Sequence, residues 1–524
     1  MYSLLKKFSD ANPERFNKEF ITSRKDQDVL EYARDIFKGL EILDEFEVID
    51  VSYSNDESSF GPIKNQHKYY KSILPSRLDK IHYKVKITPS DTVINRSPLF
   101  KKNGSQQEGS FIKEGDIYVN KLVDNIFYIN EGVRYFLIYQ IVDNATYGVR
   151  GSVVLKSLFM PITAMKRDVV VTPEFGEAAM ELPNFDLQLF SRKINPILYI
   201  MAKEAYDQLK TIPEDTDDIL DARHNLKTDA LIDALKKFFK TEFIVTEDPS
   251  DFLDTESTYV FKMSKGDSDV YFGIDKTAFD SNILAQTMIG CLSEISGETK
   301  KKPIRFSLDD LRTPWFWIDQ LSNFLTKNAA DEKKLDKIRA VLISLTRLVD
   351  DATRKTLDID PDDKKDTFSV IRYMMREFDS LVNEDSRDLE NKRVRLLEYQ
   401  MYPLRKYFSE QIYRVLNSPN RSRIILERVL SGLSPMFVIK QTVVNELLRY
   451  YNSANEMNLY SSLLKYTFRG PQAIGKSVSN EQRDLHPSYT GRLSLIASSA
   501  GDPGISGSMV PFIQMEDYHF KKQE

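Results

Sequence analysis

Gly470-Pro471-Gln472-Ala473-Ile474-Gly475-Lys476-Ser477 has the spacing G-x-x-x-x-G-K-S. In that spacing a glycine-rich loop cradles phosphates with its backbone N–H groups, and the lysine reaches the outer ones. The chemistry needs a buried strand before the loop and a helix after it, whose first N–H groups complete the anion site. Leu463–Phe468 can serve as the strand. Val478–Pro487 has no apolar stripe and ends in a proline, so the helix is not there. The chain beyond Ser477 is also too short for the further strand–helix units of a nucleoside triphosphatase core. Two readings stay open at this point, a nucleotide-binding loop and a chance match. Asp358, Asp360, Asp362 and Asp363 could converge on Mg²⁺ or Ca²⁺, but the sixth and twelfth positions of an EF-hand loop would be Asp363 and Ser369 instead of Gly and Glu. That stretch reads as a solvated, charge-rich loop.

Charge is unevenly placed. Between Pro403 and Lys476 there are eleven basic residues against four acids, in a chain whose net charge is −5. Such a local cationic excess is what phosphate neutralisation requires, and a solvated helix face with surface ion pairs is the competing account. The overall balance excludes a wholly basic, histone-like binder. Cys291 is the one cysteine, so no disulfide framework or cysteine-built metal site forms within the chain. His67, His82, His224, His486 and His519 show no metal-ligand spacing.

These residues need elements to position them. The 524 residues correspond to about three domains at roughly 150 residues each. With 41% apolar and 29% charged residues, the composition is that of a globular protein. Met1–Phe16 lacks the apolar core of a signal peptide. No apolar run approaches the ~18 residues of a membrane span, so no membrane association is expected. The expectation is a soluble, intracellular protein of several domains. Apolar spacing predicts a helix over 27–43. Period-two alternation predicts a strand from His82, then a series of short strands over Gly109–Val154 forming an antiparallel meander. Helices are predicted at Pro196–Leu209, Lys227–Phe239 and Asp331–Val349, and a hairpin from TYVFKM and DVYFGI. From Phe368 to about Tyr451 the pattern is mostly helical, and beyond it loops and short strands. The fold class is α+β and multi-domain.

Two segments carry a family resemblance. Arg483-Asp484-Leu485-His486-Pro487-Ser488-Tyr489-Thr490-Gly491-Arg492 closely resembles the R-D-V-H-P-[ST]-x-Y-G-R segment of the β, or second-largest, subunit of multisubunit DNA-directed RNA polymerases. The resemblance continues through Gly501–Ile505 to Met509–Pro511. Upstream, Asn455–Leu459 and Ser462–Pro471 look like that family's fork region, in which Gly470-Pro471 would be the Gly-Pro turn and the phosphate-loop match would be absorbed. Separately, Asn125–Gln140 is similar to the family's G-T-F-I-I-N-G-x-E-R-V-I-V-S-Q, from the protrusion, in the expected order.

The resemblance implies a discontinuous protrusion over 1–150 and 366–450, a lobe inserted at 151–365, and a fork region at 451–524. Because the family's β subunit continues past this motif, the chain is expected to be the N-terminal half of a split β subunit, as in giant bacteriophages. It implies templated RNA synthesis by a complex, with Mg²⁺ held on the partner β′ subunit and no catalytic residue on this chain. The implied partners are a C-terminal β fragment, β′ fragments, a promoter-specificity subunit, DNA template and RNA product. The implied location is the cytoplasm of an infected bacterial host, or a virion. Lys465, Arg469, Lys476, Arg483, His486 and Arg492 are the candidates for contacts near nucleic acid or substrate, with salt bridges inside the fork as the competing role. Ala497 and Ala500 stand where the family has glutamates, and Leu464-Lys465 where it has paired basic residues, which implies an altered antibiotic pocket. A polymerase fragment is also expected to expose an apolar face at Met509–Phe512. A nucleotide-binding protein using Gly470–Ser477, or a non-catalytic phage structural protein, are the alternatives.

Overall fold

A computed structural model describes residues 26–43, 45–54, 78–89, 110–123, 127–130, 132–156, 161–189, 192–212, 219–252, 256–263, 269–297, 303–325, 338, 342, 353–354, 357, 366–395, 401–418, 422–442, 447–451, 456–468, 484–497, 505–511, 513, 515–516 and 519–520. These residues are α+β, with sheets that are mostly antiparallel. They fall into two compact units. Unit 1 is Met1–Ala145, Asp350–Ala352 and Glu384–Glu524; unit 2 is Thr146–Val349 and Thr353–Asn383.

Unit 1 begins with helix α1 (Asp26–Lys38), whose Val29, Ala33, Ile36 and Phe37 form a buried stripe. The spacing is that of one face of a helix. Strands β1 (Phe46–Ser54), β2 (Leu78–Ile87) and β3 (Phe111–Asn120) follow as an antiparallel sheet in that order. In β2 the residues Ile81, Tyr83, Val85 and Ile87 are buried and alternate with His82, Lys84 and Lys86, as the period-two pattern requires. Next come β4 (Tyr128–Asn130), β5 (Val133–Leu137) and β6 (Tyr139–Asp143).

Unit 2 opens with an antiparallel meander. Its strands are β7 (Thr146–Val149), β8 (Ser152–Lys156), β9 (Pro161–Val171), β10 (Met180–Leu189) and β11 (Arg192–Ile194). Helix α2 (Pro196–Leu209) starts at Asn195, whose side chain accepts the Ile197 N–H at 3.0 Å, and it is buried on nearly every side. That makes it the unit's central helix. Helix α3 (Ala230–Phe239) packs against α2. Strands β12 (Ile244–Thr246), β13 (Thr258–Lys262) and β14 (Tyr271–Asp275) make a small sheet in the order β12-β14-β13. The expected hairpin is its β13–β14 pair, joined in register from Thr258↔Asp275 to Lys262↔Tyr271. Helix α4 (Ile283–Ser296) lies on β10, and α5 (Pro314–Leu325) on α2. Helix α6 (Asp366–Arg376) completes the core of this unit, with Phe368 ring-to-ring against Tyr199 and Phe238. The helix expected at Asp331–Val349 lies outside the described residues, apart from Ile338 and Leu342, both buried.

The chain then returns to unit 1 with β15 (Lys392–Arg395), α7 (Tyr402–Asn417), α8 (Arg423–Ser431), α9 (Phe437–Thr442) and β16 (Leu448–Tyr450). Helix α10 (Glu456–Leu463) interrupts a region read as loops and strands. Strands β17 (Lys465–Thr467), β18 (Ser506–Ser508), β19 (Met515–Glu516) and β20 (His519–Phe520) close it.

The strands expected over Gly109–Val154 are therefore present, but they are not one meander. β3 pairs with β2, β5 lies between β4 and β16, β6 sits in a six-stranded sheet, and only β7 and β8 belong to the meander of unit 2. The physical reason is burial on both faces. Tyr139, Gln140 and Ile141 of β6 are all buried, so this strand takes partners from distant parts of the chain on either side. No described helix is long and apolar enough to cross a membrane.

Candidate functional site

The two segments singled out by motif come together in one sheet of unit 1. Its order is β18-β17-β6-β15-β20-β19. β17 runs parallel to β6, with Tyr466 opposite Tyr139 and Thr467 opposite Gln140. β15 pairs with β6 on its other side, from Lys392↔Asp143 to Arg395↔Gln140, and Lys392 forms an ion pair with Asp143. Backbone bonds then lace the C-terminal pieces together. Phe468 donates to Ile505 O at 2.9 Å, Met509 to Leu464 O at 2.8 Å, and Val510 to Arg492 O at 3.0 Å. Burial pushes the Tyr466 phenol up to about 12, with neighbouring Tyr489 adding to it.

The segment 484–492 folds as a short turn on residues 385–392. Pro487–Tyr489 is a single 3₁₀ turn capped by His486, whose Nδ1 accepts the Ser488 N–H at 3.3 Å. Ser488 Oγ accepts the Leu389 N–H at 3.0 Å and lies 2.8 Å from the same Nδ1. One assignment satisfies all three contacts: the hydroxyl donates to a deprotonated Nδ1, and the ring proton sits on Nε2. Nε2 then faces Asp385 Oδ2 at 3.7 Å.

Asp385 is in turn held by Arg387. Its carboxylate accepts from Arg387 Nη2 at 2.8 Å, from Nε at 3.0 Å, and from the Arg387 backbone N–H at 2.8 Å. These charge-assisted bonds keep the Asp385 carboxyl far below the usual carboxylate range, and the same pairing raises Arg387. Arg387 also reaches Asp484 at 3.7 Å. Burial raises Tyr489, the last residue of the turn, despite the nearby Arg387.

The sequence-predicted residues separate into three groups. Lys465 is exposed on β17. His486 and Arg492 turn towards their own chain: Arg492 is 6% exposed, donates to the Ser488 carbonyl at 3.3 Å, and pairs with Glu390 at 3.5 Å. Arg469, Lys476 and Arg483 lie outside the described residues, as do the whole Gly470–Ser477 stretch, Asp358–Asp363 and Ala500. Ala497 donates its N–H to Ser494 Oγ at 3.3 Å.

One expectation is corrected. Met509 does not lie on an exposed apolar face: it is 1% exposed and bridges to Leu493, because its N–H is drawn into the Leu464 contact. Phe512 lies outside the described residues. Val510 of that stretch is half-buried and Pro511 exposed, and the large exposed apolar side chains near the turn are Leu485, Leu495 and Ile496.

Sequence reasoning missed Asp385, Arg387 and Glu390 as partners of the motif. Their only signal is a dense run of alternating charge inside a region read as helical. A hydroxyl beside an imidazole also invites a nucleophile reading. Here Ser488 Oγ is committed between the Leu389 N–H and His486 Nδ1, so the trio is a strut that fixes the turn. Among the described residues no group of His, Cys, Asp or Glu is arranged to hold a metal.

The family model of the non-virion RNA polymerase subunit matches residues 3–184 and 235–520, most of both units. The chain belongs to the non-virion RNA polymerase subunit family. It is a subunit of an RNA polymerase and works with other subunits in transcription. No curated protein matches it.

Proposed function

We propose that this subunit is of the β type, forms the N-terminal half of a split β subunit, and carries the fork beside the active centre. The observation that carries the reading is the parallel pairing of β6 with β17. β6 ends the segment similar to the family's protrusion motif, and β17 lies in the segment similar to its fork. The two are far apart in sequence, yet they are neighbours in one sheet, and residues 484–492 of the C-terminal motif pack beside them through Leu389 and Glu390. A chance match of either segment alone gives no reason for that adjacency.

In this reading unit 1 supplies the protrusion and the fork, and unit 2 supplies the lobe. The subunit walls the DNA cleft. Lys465, Arg469, Lys476 and Arg483 are its candidates for contact with DNA, RNA or substrate, and His486 and Arg492 position the turn. RNA synthesis is an in-line displacement with two Mg²⁺ ions held by the β′-like partner's aspartate loop, and no step runs through a metal on this chain. The partners are a C-terminal β fragment, β′ fragments and a promoter-specificity subunit. The family's name, non-virion, favours work in the cytoplasm of the infected host over packaging in a virion.

The test is affinity purification of the tagged chain from infected cells, with mass spectrometry and an RNA synthesis assay of the eluate. Recovery of a C-terminal β fragment and of β′-like chains carrying the aspartate loop, with template-dependent RNA synthesis, is expected. A polymerase that contains this chain together with a separate, complete β subunit would overturn the β assignment.

A further inference from the structure

A second surface of unit 1 has the chemistry of a nucleic-acid contact. The three-stranded sheet β16-β5-β4 has β16 at its edge. Its two neighbouring strands carry the same dipeptide, Arg134-Tyr135 in β5 and Arg449-Tyr450 in β16. The antiparallel register sets Tyr450 opposite Tyr135 and Arg449 opposite Phe136. Cross-strand partners share a face. The two tyrosines therefore lie together, ring centroids 6.2 Å apart and edge-to-face, with Tyr450 59% exposed. The two arginines lie on the other face, both exposed, and the Arg134 guanidinium rests 5.5 Å from the Phe127 ring centroid. Neither guanidinium has a carboxylate partner among the described residues.

Two exposed cations on one face of the edge, without a carboxylate partner among the described residues, leave an electrostatic demand that a polyanion meets, and the exposed Tyr450 ring offers a stacking surface on the other face. Arg449 also belongs to the basic-rich stretch of an otherwise acidic chain. Base stacking on aromatic side chains combined with arginine contacts to the backbone is how single strands are bound without sequence preference. We propose that the β16–β5 edge binds single-stranded nucleic acid that crosses it, with a base stacked on Tyr450 beside Tyr135 on one face and phosphates on Arg449 and Arg134 on the other. The proposal rests on the chain being a polymerase subunit and names a contact separate from the β6–β17 site.

The test measures binding of fluorescent oligo(dT) and oligo(rU) to the full chain by anisotropy over a salt series, for the wild type and for Arg449→Glu, Tyr450→Ala and Tyr450→Phe. Both residues are exposed, so the fold should persist, and circular dichroism checks it. Tyr450→Ala should weaken binding by about tenfold and Tyr450→Phe should restore it, because stacking needs the ring and not the hydroxyl. Arg449→Glu should weaken binding and reduce the salt slope by about one. The two oligonucleotides show whether DNA or RNA is preferred. Unchanged affinity in Tyr450→Ala overturns the proposal. So does a variant that binds oligonucleotide normally but no longer brings down partner subunits, since the edge is then a subunit interface. A wild-type chain that assembles into an active polymerase but binds neither oligonucleotide also overturns it and leaves the β reading standing. A chain that binds both through Tyr450 but sits beside a complete β subunit keeps this site and loses the β reading.

Discussion

The Ser488 side chain joins two groups that would each be worse off without it. Its hydroxyl satisfies the Leu389 N–H and points its own proton at His486 Nδ1. Removing it strands a partly buried donor, which costs about 1–3 kcal/mol. Ser488→Ala should therefore loosen the turn locally, and amide hydrogen exchange at Leu389 should speed up by roughly fivefold or more. Protection equal to the wild type would mean that the strut is not what holds 484–492 on 385–392. Asp385 gives a pH signature at the same place. Its carboxyl is depressed in the folded chain by Arg387. A depressed carboxyl stabilises above its unfolded value, about 4, and that contribution fades as the pH falls towards the folded value. The difference in thermal midpoint between the wild type and Asp385→Asn should be full at neutral pH and narrow steadily below about pH 4. Calorimetry from neutral to acid pH reads this directly, and a constant difference across the range would rule out the charge pairing as its source.

Elements that depend on local pattern were legible in the sequence, and those that depend on remote partners were not. Helix α4 shows how tight a remote contact is. Gly290 faces Pro183 of β10, where a Cβ would run into the carbonyl oxygen. That close approach lets the buried Glu294 accept from buried Asn184 at 2.5 Å and from the exposed Arg167 at 3.1 Å. Gly290→Ala should push α4 off β10 and cost unit 2 about 1–3 kcal/mol, the usual penalty for overpacking. Limited proteolysis of unit 2 should accelerate accordingly, and a resistant variant would show that the strand gives way instead. Nothing in the sequence of α4 marks Gly290 as a contact point, whereas Asn195-Pro196 followed by a continuous apolar run announces α2 on its own. The β13–β14 hairpin was legible for the same local reason. The β6–β17 pair was not: β17 has only three residues, and β6 is buried on both faces, so neither shows an alternation that could name its partner. The motif around His486 was visible by type and spacing. That Arg492 is buried against Glu390 was not, because a guanidinium's exposure depends on which acid the fold brings to it.

At the scale of the whole chain, unit 1 is assembled from segments on both sides of unit 2. Such an arrangement asks that the inserted unit begin and end at neighbouring points, so that the host unit need not open to admit it. Unit 2 meets this condition within itself. Gly148, in its first strand, lies so close to the backbone of Leu381 and Val382 near its last residue that a Cβ would clash there. The described core of unit 2 is built from its own elements. α2 is enclosed by α3 and α5, α4 covers β10, and Phe378 closes edge-to-face on Phe185 at 5.3 Å. Its ion pairs join its own elements too, with Lys166 on Asp379 at 2.7 Å and Lys276 on Glu177 at 2.5 Å. A fragment spanning 146–383 should therefore fold alone, with a dispersed amide spectrum and one cooperative thermal transition. Gly148→Val tests the cause. Forcing a branched side chain against Leu381 should separate the two ends and lower the fragment's midpoint, with the same direction of change in the full chain. If the fragment is instead molten, the insertion depends on unit 1 for its core, and the two compact units are one folding unit.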